Sequence, residues 1–379
     1  MPRAEPSRLE LPPGAFGVYV HIPFCTRRCD YCAFATWDDR ADRIGPYLDA
    51  VEAEIAGAVA DGLPPATSVF FGGGTPSLLN GEDLTRLLAA IPRAAGAEVT
   101  VECNPETLDA NKLAAYRAGG VTRISLGVQS MVPSVLAALG RVHEPTVVQR
   151  SVALARAADF GNINIDLIYG AAGESLAAWR HTIDEVLKLE PSHISAYALT
   201  VEPGTPLAAD RGRHPDDDDQ ADKYLLAAEV LEAAGYEWYE VSNWARPGYE
   251  CQHNLLYWLQ GAYRGFGCAA HSHLAGRRWW NVHHVDRYIA ALQAGRSPEA
   301  GHEQLGPDER RIEALQLELR TARGVPADAL DLSGLGDPLE GRVPCALPGT
   351  RALLEPVGGR VVLTRHGRLL ANEIALRLR

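Results

Sequence analysis

The sequence predicts an α/β fold whose larger part is a parallel sheet, arranged either as an open doubly wound sheet or as an incomplete barrel. Six short runs rich in β-branched residues alternate with stretches of helical period over about the first 200 residues. Such alternation requires parallel strands joined by crossover helices. Cysteines, glycines and an Asn-Pro pair directly follow the first three runs, at the sheet edge where these folds carry their chemistry.

The predicted elements follow in chain order. Strands are predicted at 17–22, 67–71, 98–102, 123–128, 162–168 and 193–199. Amphipathic helices are predicted at 81–91 and 175–189, because apolar residues recur there at spacings of three and four. A further helix at about 216–234 opens with four aspartates, which we interpret as a helix cap and partners of the helix dipole rather than as a metal site.

Four segments are expected along the chain. A flexible tail at 1–15 precedes the α/β core at 16–235, and an irregular extension at 236–298 follows it, rich in aromatic, His and Gly residues. Residues 299–379 are expected to form a small α+β domain of winged-helix type, since a helix at 307–320 precedes a strand–turn–strand–helix pattern. Winged helices often bind DNA, but here a packing or substrate-covering role is favoured.

Composition excludes several classes of protein. The 379 residues include 36 Lys plus Arg and 48 Asp plus Glu, a net charge of −12, which argues against nucleic-acid binding. No secretory signal and no run of about 18 apolar residues is present, so we expect a cytoplasmic protein. The seven cysteines are unevenly spread and do not form a disulfide framework.

Cys25, Cys29 and Cys32 follow the first strand with Cys-x3-Cys-x2-Cys spacing. A structural zinc site needs four ligands, and His21 is the only nearby candidate for the fourth. A 4Fe–4S cluster held by three cysteines would leave one iron open to a ligand with amino and carboxylate groups. The spacing therefore favours a cluster that takes part in chemistry.

The stretch YVHIPFCTRRCDYC, from Tyr19 to Cys32, resembles the signature of radical S-adenosylmethionine (SAM) enzymes, in particular the branch of oxygen-independent coproporphyrinogen III dehydrogenase. The resemblance extends from about residue 16 to the C-terminus. It implies an incomplete (β/α)6 radical SAM barrel, a 4Fe–4S cluster that splits SAM into methionine and a 5′-deoxyadenosyl radical, and a flavodoxin or ferredoxin-type reductant.

The same resemblance implies the residues of the SAM pocket. A glycine-rich motif, GGGTP, follows the second strand, where backbone can approach the methionine amino group closely. Polar and aromatic residues near other strand ends match the family positions around the ribose, the methionine carboxylate and the adenine. The implied residues are Tyr19, Tyr31, Gly73, Gly74, Thr75, Glu102, Gln129, Arg141 and Asp166.

Three features resemble the heme-chaperone branch of this family more than the dehydrogenases. Phe34 stands where the dehydrogenases have a fourth cysteine, and only a short segment precedes the first strand. The sequence HNLLYW at 253–258 matches the HNxxYW motif of the chaperone branch. His253 is the candidate heme ligand, and Tyr257 and Trp258 offer flat faces for a macrocycle. Alternative ligands are Cys251, Cys268, His271 and His273.

Three functions follow from these patterns. The first is a heme chaperone that passes heme to an apo-acceptor such as a respiratory enzyme, with peripheral contact to respiratory complexes. The second is oxidative decarboxylation of coproporphyrinogen III, and the third is a radical SAM heme methyltransferase. The sequence assigns no catalytic residue and leaves open whether SAM is cleaved productively, because each function needs the same binding pocket.

Overall fold

The computed structural model describes residues 3–329 and 353–376, whose strands form two sheets. The strands of the main sheet are β1 Phe16–Ile22, β2 Ala66–Gly73, β3 Arg93–Cys103, β4 Arg123–Gln129, β5 Asn162–Tyr169, β6 His193–Ala198, β7 Glu237–Glu240, β8 Asn243–Ala245, β9 Ala262–Phe266, β10 His271–Leu274, β11 Arg277–Asn281 and β12 Glu299–Gln304. The small sheet contains β13 Val325–Pro326, β14 Leu354–Val357 and β15 Arg360–Leu363.

Strands β1 to β6 lie side by side in chain order and are all parallel. This confirms the predicted α/β class and its parallel sheet. Strand β9 pairs with the free side of β1, and β8 pairs antiparallel with β6. The parallel strands bring their carboxyl ends to one edge of the sheet, so the loops that follow them meet there.

The helices cover the strands and several begin with the caps that the sequence offers. Asn80, Ser175 and Asp216 each accept a hydrogen bond from a backbone amide in the first turn of the helix that follows. The predicted role of the aspartate run as a helix cap is therefore confirmed for Asp216. The helices are α1 Ile44–Ala60, α2 Gly81–Ala90, α3 Ala110–Gly119, α4 Pro133–Ala138, α5 Pro145–Ala157, α6 Leu176–Lys188, α7 Pro206–Ala209, α8 Asp217–Ala233, α9 Gln252–Trp258, α10 Val285–Gln293, α11 Pro307–Glu318, α12 Arg365–Leu369 and α13 Ala371–Ala375.

The segment 236–298 is more regular than the sequence predicts. It contributes strands β7 to β11 to the main sheet, together with helices α9 and α10. These strands have three to five residues, and all three residues of β8 are buried. Strands of three to five residues are too short to show a clear alternation of polar and apolar residues, so the period that marks a strand cannot be recognised there.

The small sheet has a hydrophobic core of its own. Strand β15 pairs antiparallel with both β13 and β14, and helices α11 and α13 contribute Leu315, Leu319 and Ile374 to that core. Strand β12 lies beyond the predicted boundary at 298 but belongs to the main sheet. The C-terminal unit therefore begins with α11 among the described residues.

Residues 3–15 pack on the molecule, contrary to the expected flexible tail. Ala4 and Leu9 are fully buried in the main core, and the Ala4 amide donates to Trp238 O at 3.1 Å. Arg3 pairs with Glu355 of the small sheet, and Arg8 pairs with Glu237. Because prolines interrupt this segment, Ala4 and Leu9 form no periodic pattern from which their burial could be predicted.

Two further sequence expectations concern single features. Within the described residues, no helix combines the length and apolar character needed to cross a bilayer. The scattered positions of Cys103 and Cys345 predict ordinary buried thiols; Cys103 is buried, whereas Cys345 lies outside the described residues.

Candidate functional site

A cavity of about 450 Å³ opens at the carboxyl ends of the parallel strands. The loops after β1 to β6 supply its walls, as expected for a fold of this class. Of the twelve residues predicted to hold the cluster or SAM, Tyr19 alone lies outside the walls. The predicted residues that line it are Cys25, Cys29, Tyr31, Cys32, Gly73, Gly74, Thr75, Glu102, Gln129, Arg141 and Asp166.

The cysteine loop leaves β1 and is closed by hydrogen bonds between its ends. The Cys25 amide donates to Trp37 O at 3.0 Å, and the Trp37 amide donates to Pro23 O at 2.8 Å. Inside the loop, the Cys32 amide donates to Cys29 O at 3.2 Å and forms a turn. The three free thiols are partly exposed on the cavity wall.

Two polar side chains contact the sulfurs. Thr75 Oγ1 donates to Cys25 Sγ at 3.7 Å, and Arg141 Nη1 donates to Cys29 Sγ at 3.5 Å. Burial raises the pKa of Cys25 to about 11, while the hydrogen bond from Thr75 acts in the opposite direction. Metal ligation requires the thiolate, and a guanidinium cation beside the cysteines favours that form.

The donor set fits a 4Fe–4S cluster. Within residues 3–329 and 353–376, no three His, Cys, Asp or Glu side chains are close enough to share one metal ion. A 4Fe–4S cluster does not need such convergence, since its thiolates bind different iron atoms. Three thiols around a partly enclosed cavity are therefore compatible with that cluster.

Gly73 and Gly74 pack against the cysteine loop, and neither position has space for a side chain. Gly73 has a φ of +112°, and a Cβ there would lie 2.4 Å from the His21 ring. A Cβ on Gly74 would lie 2.7 Å from Phe24 O. The need for glycine at these positions therefore comes first from the protein's own packing, and not from the close approach of a ligand that the motif suggests.

Two carboxyl groups face the cavity in different surroundings. Burial, with the nearby charge of Asp166 as a smaller cause, raises the pKa of Glu102 to about 8. The Gly73 amide donates to Glu102 Oε2 at 3.2 Å. Asp166 accepts hydrogen bonds from Ser125 Oγ and Asn164 Nδ2, both at 2.8 Å. Glu102 is thus largely protonated near pH 7 and can donate as well as accept a hydrogen bond.

Arg141 and Gln129 are fixed at the end of β4. Arg141 Nη2 donates to Asn104 Oδ1 and to Gly127 O, both at 2.8 Å. Asn104 Nδ2 in turn donates to Thr75 Oγ1 at 3.1 Å. Gln129 has a φ of 65°, a left-handed conformation that is uncommon outside glycine and turns its side chain at the strand end. The guanidinium is held rigidly between the cysteines and the strand ends.

Tyr19 lies behind the cavity wall and positions His21. His21 Nε2 donates to Ala35 O at 2.9 Å, so Nδ1 accepts the hydrogen bond from the Tyr19 hydroxyl, also at 2.9 Å. Burial lowers the pKa of His21 to about 4. The ring is therefore neutral with both nitrogens engaged, and it supports the glycine loop.

Three polar lining residues that sequence reasoning missed bear on the geometry of the site. Asn104 bridges Arg141 and Thr75, Ser125 donates to Asp166, and Tyr197 lines the wall from within β6. Ser125 and Gly127 alternate along β4 toward Gln129, and Tyr197 follows Ser195 by two positions. The period of two along a strand, counted back from the strand ends, would have found Ser125 and Tyr197.

The HNLLYW segment lies in helix α9, and His253 is a buried residue of that helix. Its side chain is 1% exposed and stacks on Phe70, with ring centroids 5.3 Å apart. Nδ1 is hydrogen-bonded to Ser68 Oγ and Nε2 to Tyr257 Oη, each at 2.9 Å. Burial lowers the pKa of His253 to about 3. Both nitrogens that could ligate iron thus already have partners, so ligation would first require the ring to leave them.

A second cavity, of about 500 Å³, lies beside α9. Asn254, Tyr257 and Trp258 line it, at the spacings of three and four residues that share a helix face. Tyr197 lines both cavities, which are therefore neighbours. The other lining residues are Glu240, Val241, Ser242, Asn243, Leu317, Arg320 and Asn372.

The alternative heme ligands lie outside this second cavity. Cys251 and Cys268 are fully buried, and burial raises the pKa of each thiol to about 12. His273 is 5% exposed, and its Nδ1 donates a hydrogen bond to Gly261 O at 3.1 Å. His271 is exposed and stacks on Trp280 with ring centroids 5.9 Å apart. Of these four side chains, only that of His271 is exposed to solvent.

Comparison with known proteins identifies relatives over nearly the full chain. Residues 19–186 match the profile of the Radical SAM superfamily. The heme chaperone HemW of Mycobacterium tuberculosis is 43% identical over 97% of this chain and 96% of the relative. The heme chaperone HemW of Bacillus subtilis is 36% identical over 94% of this chain and 97% of the relative.

A solved structure shares the fold. The coproporphyrinogen III oxidase HemN from Escherichia coli, described as a radical SAM enzyme, superposes with a TM-score of 0.81. The match covers 98% of this chain and 92% of that chain at 24% sequence identity. This likeness confirms the predicted α/β fold.

Proposed function

This chain belongs to the radical SAM superfamily and, within it, to the family of HemW heme chaperones, and from that premise we propose that it binds heme as cargo and passes it to an apo-acceptor protein. We propose further that the six parallel strands form the incomplete (β/α)6 barrel of the superfamily and that the first cavity holds a 4Fe–4S cluster and SAM. The acceptor would be a heme protein such as a respiratory enzyme, reached from the cytoplasm by peripheral contact.

One observation carries the proposal for heme. Tyr257 and Trp258 of α9 both line a cavity of about 500 Å³, a volume within the range of small-molecule sites. Heme is a large apolar plate, and aromatic side chains offer flat surfaces that bury much of such a ligand. Tyr197, common to both cavities, would set the heme next to the cluster cavity.

The residues of the first cavity suit its cofactors. Cys25, Cys29 and Cys32 would hold the cluster, whose fourth iron would be free for SAM, and the cluster when reduced would supply electrons to SAM. Arg141 and the neutral Glu102 offer hydrogen bonds to polar groups of SAM in a wall that excludes much of the solvent. A flavodoxin or ferredoxin-type protein is the proposed reductant.

For His253 we propose a positioning role in place of the expected axial ligation. The ring fixes the Tyr257 hydroxyl through Nε2 and is fixed itself by Ser68 and Phe70. Ligation of the iron would cost both hydrogen bonds and leave Ser68 unpaired in the core. Tyr257, held in this way, presents its ring to the second cavity.

The dehydrogenase remains the second candidate function. Its closest support is the shared fold and the shared cluster cavity. Against it, Phe34 stands where that branch has a fourth cysteine, and the side chain is 67% exposed at the cavity. We propose that the cargo role excludes turnover of coproporphyrinogen III, and nothing among the lining residues favours the methyltransferase.

The test is a hemin titration. The full chain is reconstituted anaerobically, hemin is added stepwise, and binding is measured from the Soret band. The double variant Tyr257→Ala, Trp258→Ala is expected to bind hemin at least about tenfold more weakly than the wild type, because it loses both aromatic faces. Trp280→Ala, on β11 and outside both cavities, serves as the matched control and is expected to leave affinity unchanged. Equal affinities for the double variant and the wild type would place heme elsewhere.

A further inference from the structure

The C-terminal unit closes one side of the second cavity. Leu317 from α11, Arg320 just beyond it and Asn372 from α13 line the cavity together with residues of α9. The Ala322 amide donates to Tyr239 O at 2.8 Å and fixes this segment to β7 of the main sheet. The cavity is therefore complete only when both units are in place.

Arg320 differs from the other arginines of this unit that face the interior. Arg323 and Arg360 both pair with Glu318, at 3.0 and 3.1 Å, and Arg368 pairs with Glu232 at 3.5 Å. Within the described residues, Arg320 is half-buried and has no carboxylate partner. Its hydrogen bonds there are to Gln316 O at 2.6 Å and Asn372 Oδ1 at 2.9 Å.

This guanidinium has unused capacity. Arginine carries five N–H donors, and the described bonds use two of them. Burial lowers the pKa of Arg320 because the charged form loses hydration. Glu240 lines the same cavity, but burial raises its pKa to about 8, so it is mostly neutral near pH 7 and does not balance the charge. An anion entering the cavity would do so.

We propose that Arg320 binds a propionate carboxylate of heme whose ring lies against Tyr257 and Trp258. The inference rests on the proposed function. Heme has an apolar ring and two carboxylates at one edge, and the cavity combines aromatic side chains from α9 with a guanidinium from the C-terminal unit. Arginine recognises carboxylates through paired N–H donors, so Arg320 sets which edge of heme points toward the C-terminal unit.

The experiment compares hemin with hemin dimethyl ester, in which both carboxylates are masked, by anaerobic Soret titration of the full chain. Arg320→Met is expected to weaken hemin binding about tenfold and to leave binding of the ester unchanged, because the ester has no carboxylate for Arg320 to bind. The matched control is Arg311→Met, on the exposed surface of α11, which is expected to change neither affinity. Circular dichroism and thermal melting check that each variant is folded.

If Arg320→Met fails to fold, the variant Arg320→Lys tests the same inference. Lysine retains the charge but not the paired donors, so hemin binding is expected to weaken about threefold, again without an effect on the ester. An equal loss for hemin and the ester in either folded variant, or no loss for hemin, would overturn the inference while leaving heme binding intact. If the wild type binds neither ligand, the proposed function fails and this inference fails with it.

Discussion

The two cavities obtain their walls in different ways. The cluster cavity is lined by residues at the carboxyl ends of consecutive parallel strands and in the loops that follow them. The second cavity combines α9, the turn between β7 and β8, and the C-terminal unit, which are far apart in the chain. The topology of a parallel sheet brings the parts of the first cavity to one edge, whereas the second depends on how separate parts of the molecule pack. We therefore expect substitutions in single loops to affect the first cavity most, and substitutions in α9 to affect the second.

The largest expected effect is on the first cavity. Replacing Cys25, Cys29 and Cys32 together with Ala should abolish the charge-transfer absorbance and the bound iron and sulfide, because no thiolate of the loop remains. Iron and sulfide analysis after anaerobic reconstitution measures this. Cys103→Ala is the control, since that buried thiol lines the same cavity yet donates to Val101 O. A triple variant that keeps its cluster would show that the ligands are misassigned.

The next effect concerns the glycine loop. Gly73→Ala is expected to lower the free energy of unfolding by about 2 kcal/mol, because a Cβ at positive φ would collide with His21. SAM affinity, measured by equilibrium dialysis of the reconstituted protein, should fall about tenfold as the loop shifts. In Gly57→Ala nothing lies within 4 Å of the new Cβ, so this variant should lower neither the free energy of unfolding nor the affinity for SAM. Wild-type SAM affinity in Gly73→Ala would mean that this loop does not hold SAM.

A third prediction separates structural support from ligation at His253. The folded-state pKa of about 3 lies below the unfolded value of about 6.5. The unfolded chain therefore binds the extra proton first, and stability is lost as pH falls below about 6.5. Between pH 7 and 5 the free energy of unfolding should fall by about 2 kcal/mol more in the wild type than in His253→Gln, since about 1.5 pH units at about 1.4 kcal/mol each are involved.

Urea unfolding of the apo-protein at the two pH values checks this difference. His181→Gln, at an exposed position on α6, should behave as the wild type does. In hemin titrations His253→Gln should keep the position of the Soret band while affinity falls about threefold, because Tyr257 loses one hydrogen bond. A changed Soret band with unchanged stability would restore His253 as the axial ligand.

The smallest expected signal is the absence of a reaction. Coproporphyrinogen III decarboxylation by the reconstituted chain should stay at the level of a control without protein, and Phe34→Cys alone should not introduce it. Product analysis by chromatography measures both. Turnover above the control by the wild type would favour the dehydrogenase and count against the cargo role.

The same contrast explains how much the sequence could predict. Residues at strand ends, such as Gly73 and Gln129, could be placed because a parallel sheet fixes where its strand ends lie. His253 could not, because its burial depends on Ser68 and Phe70, about 185 positions earlier in the chain. The spacing of Asn254 from Tyr257 and Trp258 does mark neighbouring positions on a helix, but only the fold shows that Arg320 lines the same cavity.

Hydrogen–deuterium exchange of the anaerobic protein, with and without bound hemin, most directly tests the claim that heme occupies the second cavity. We predict added protection in peptides that cover 240–243, 254–258 and 317–320, the segments that supply most of the cavity wall. Protection confined to 268–281, around the exposed His271, would contradict it and place the heme on the outer strands of the sheet.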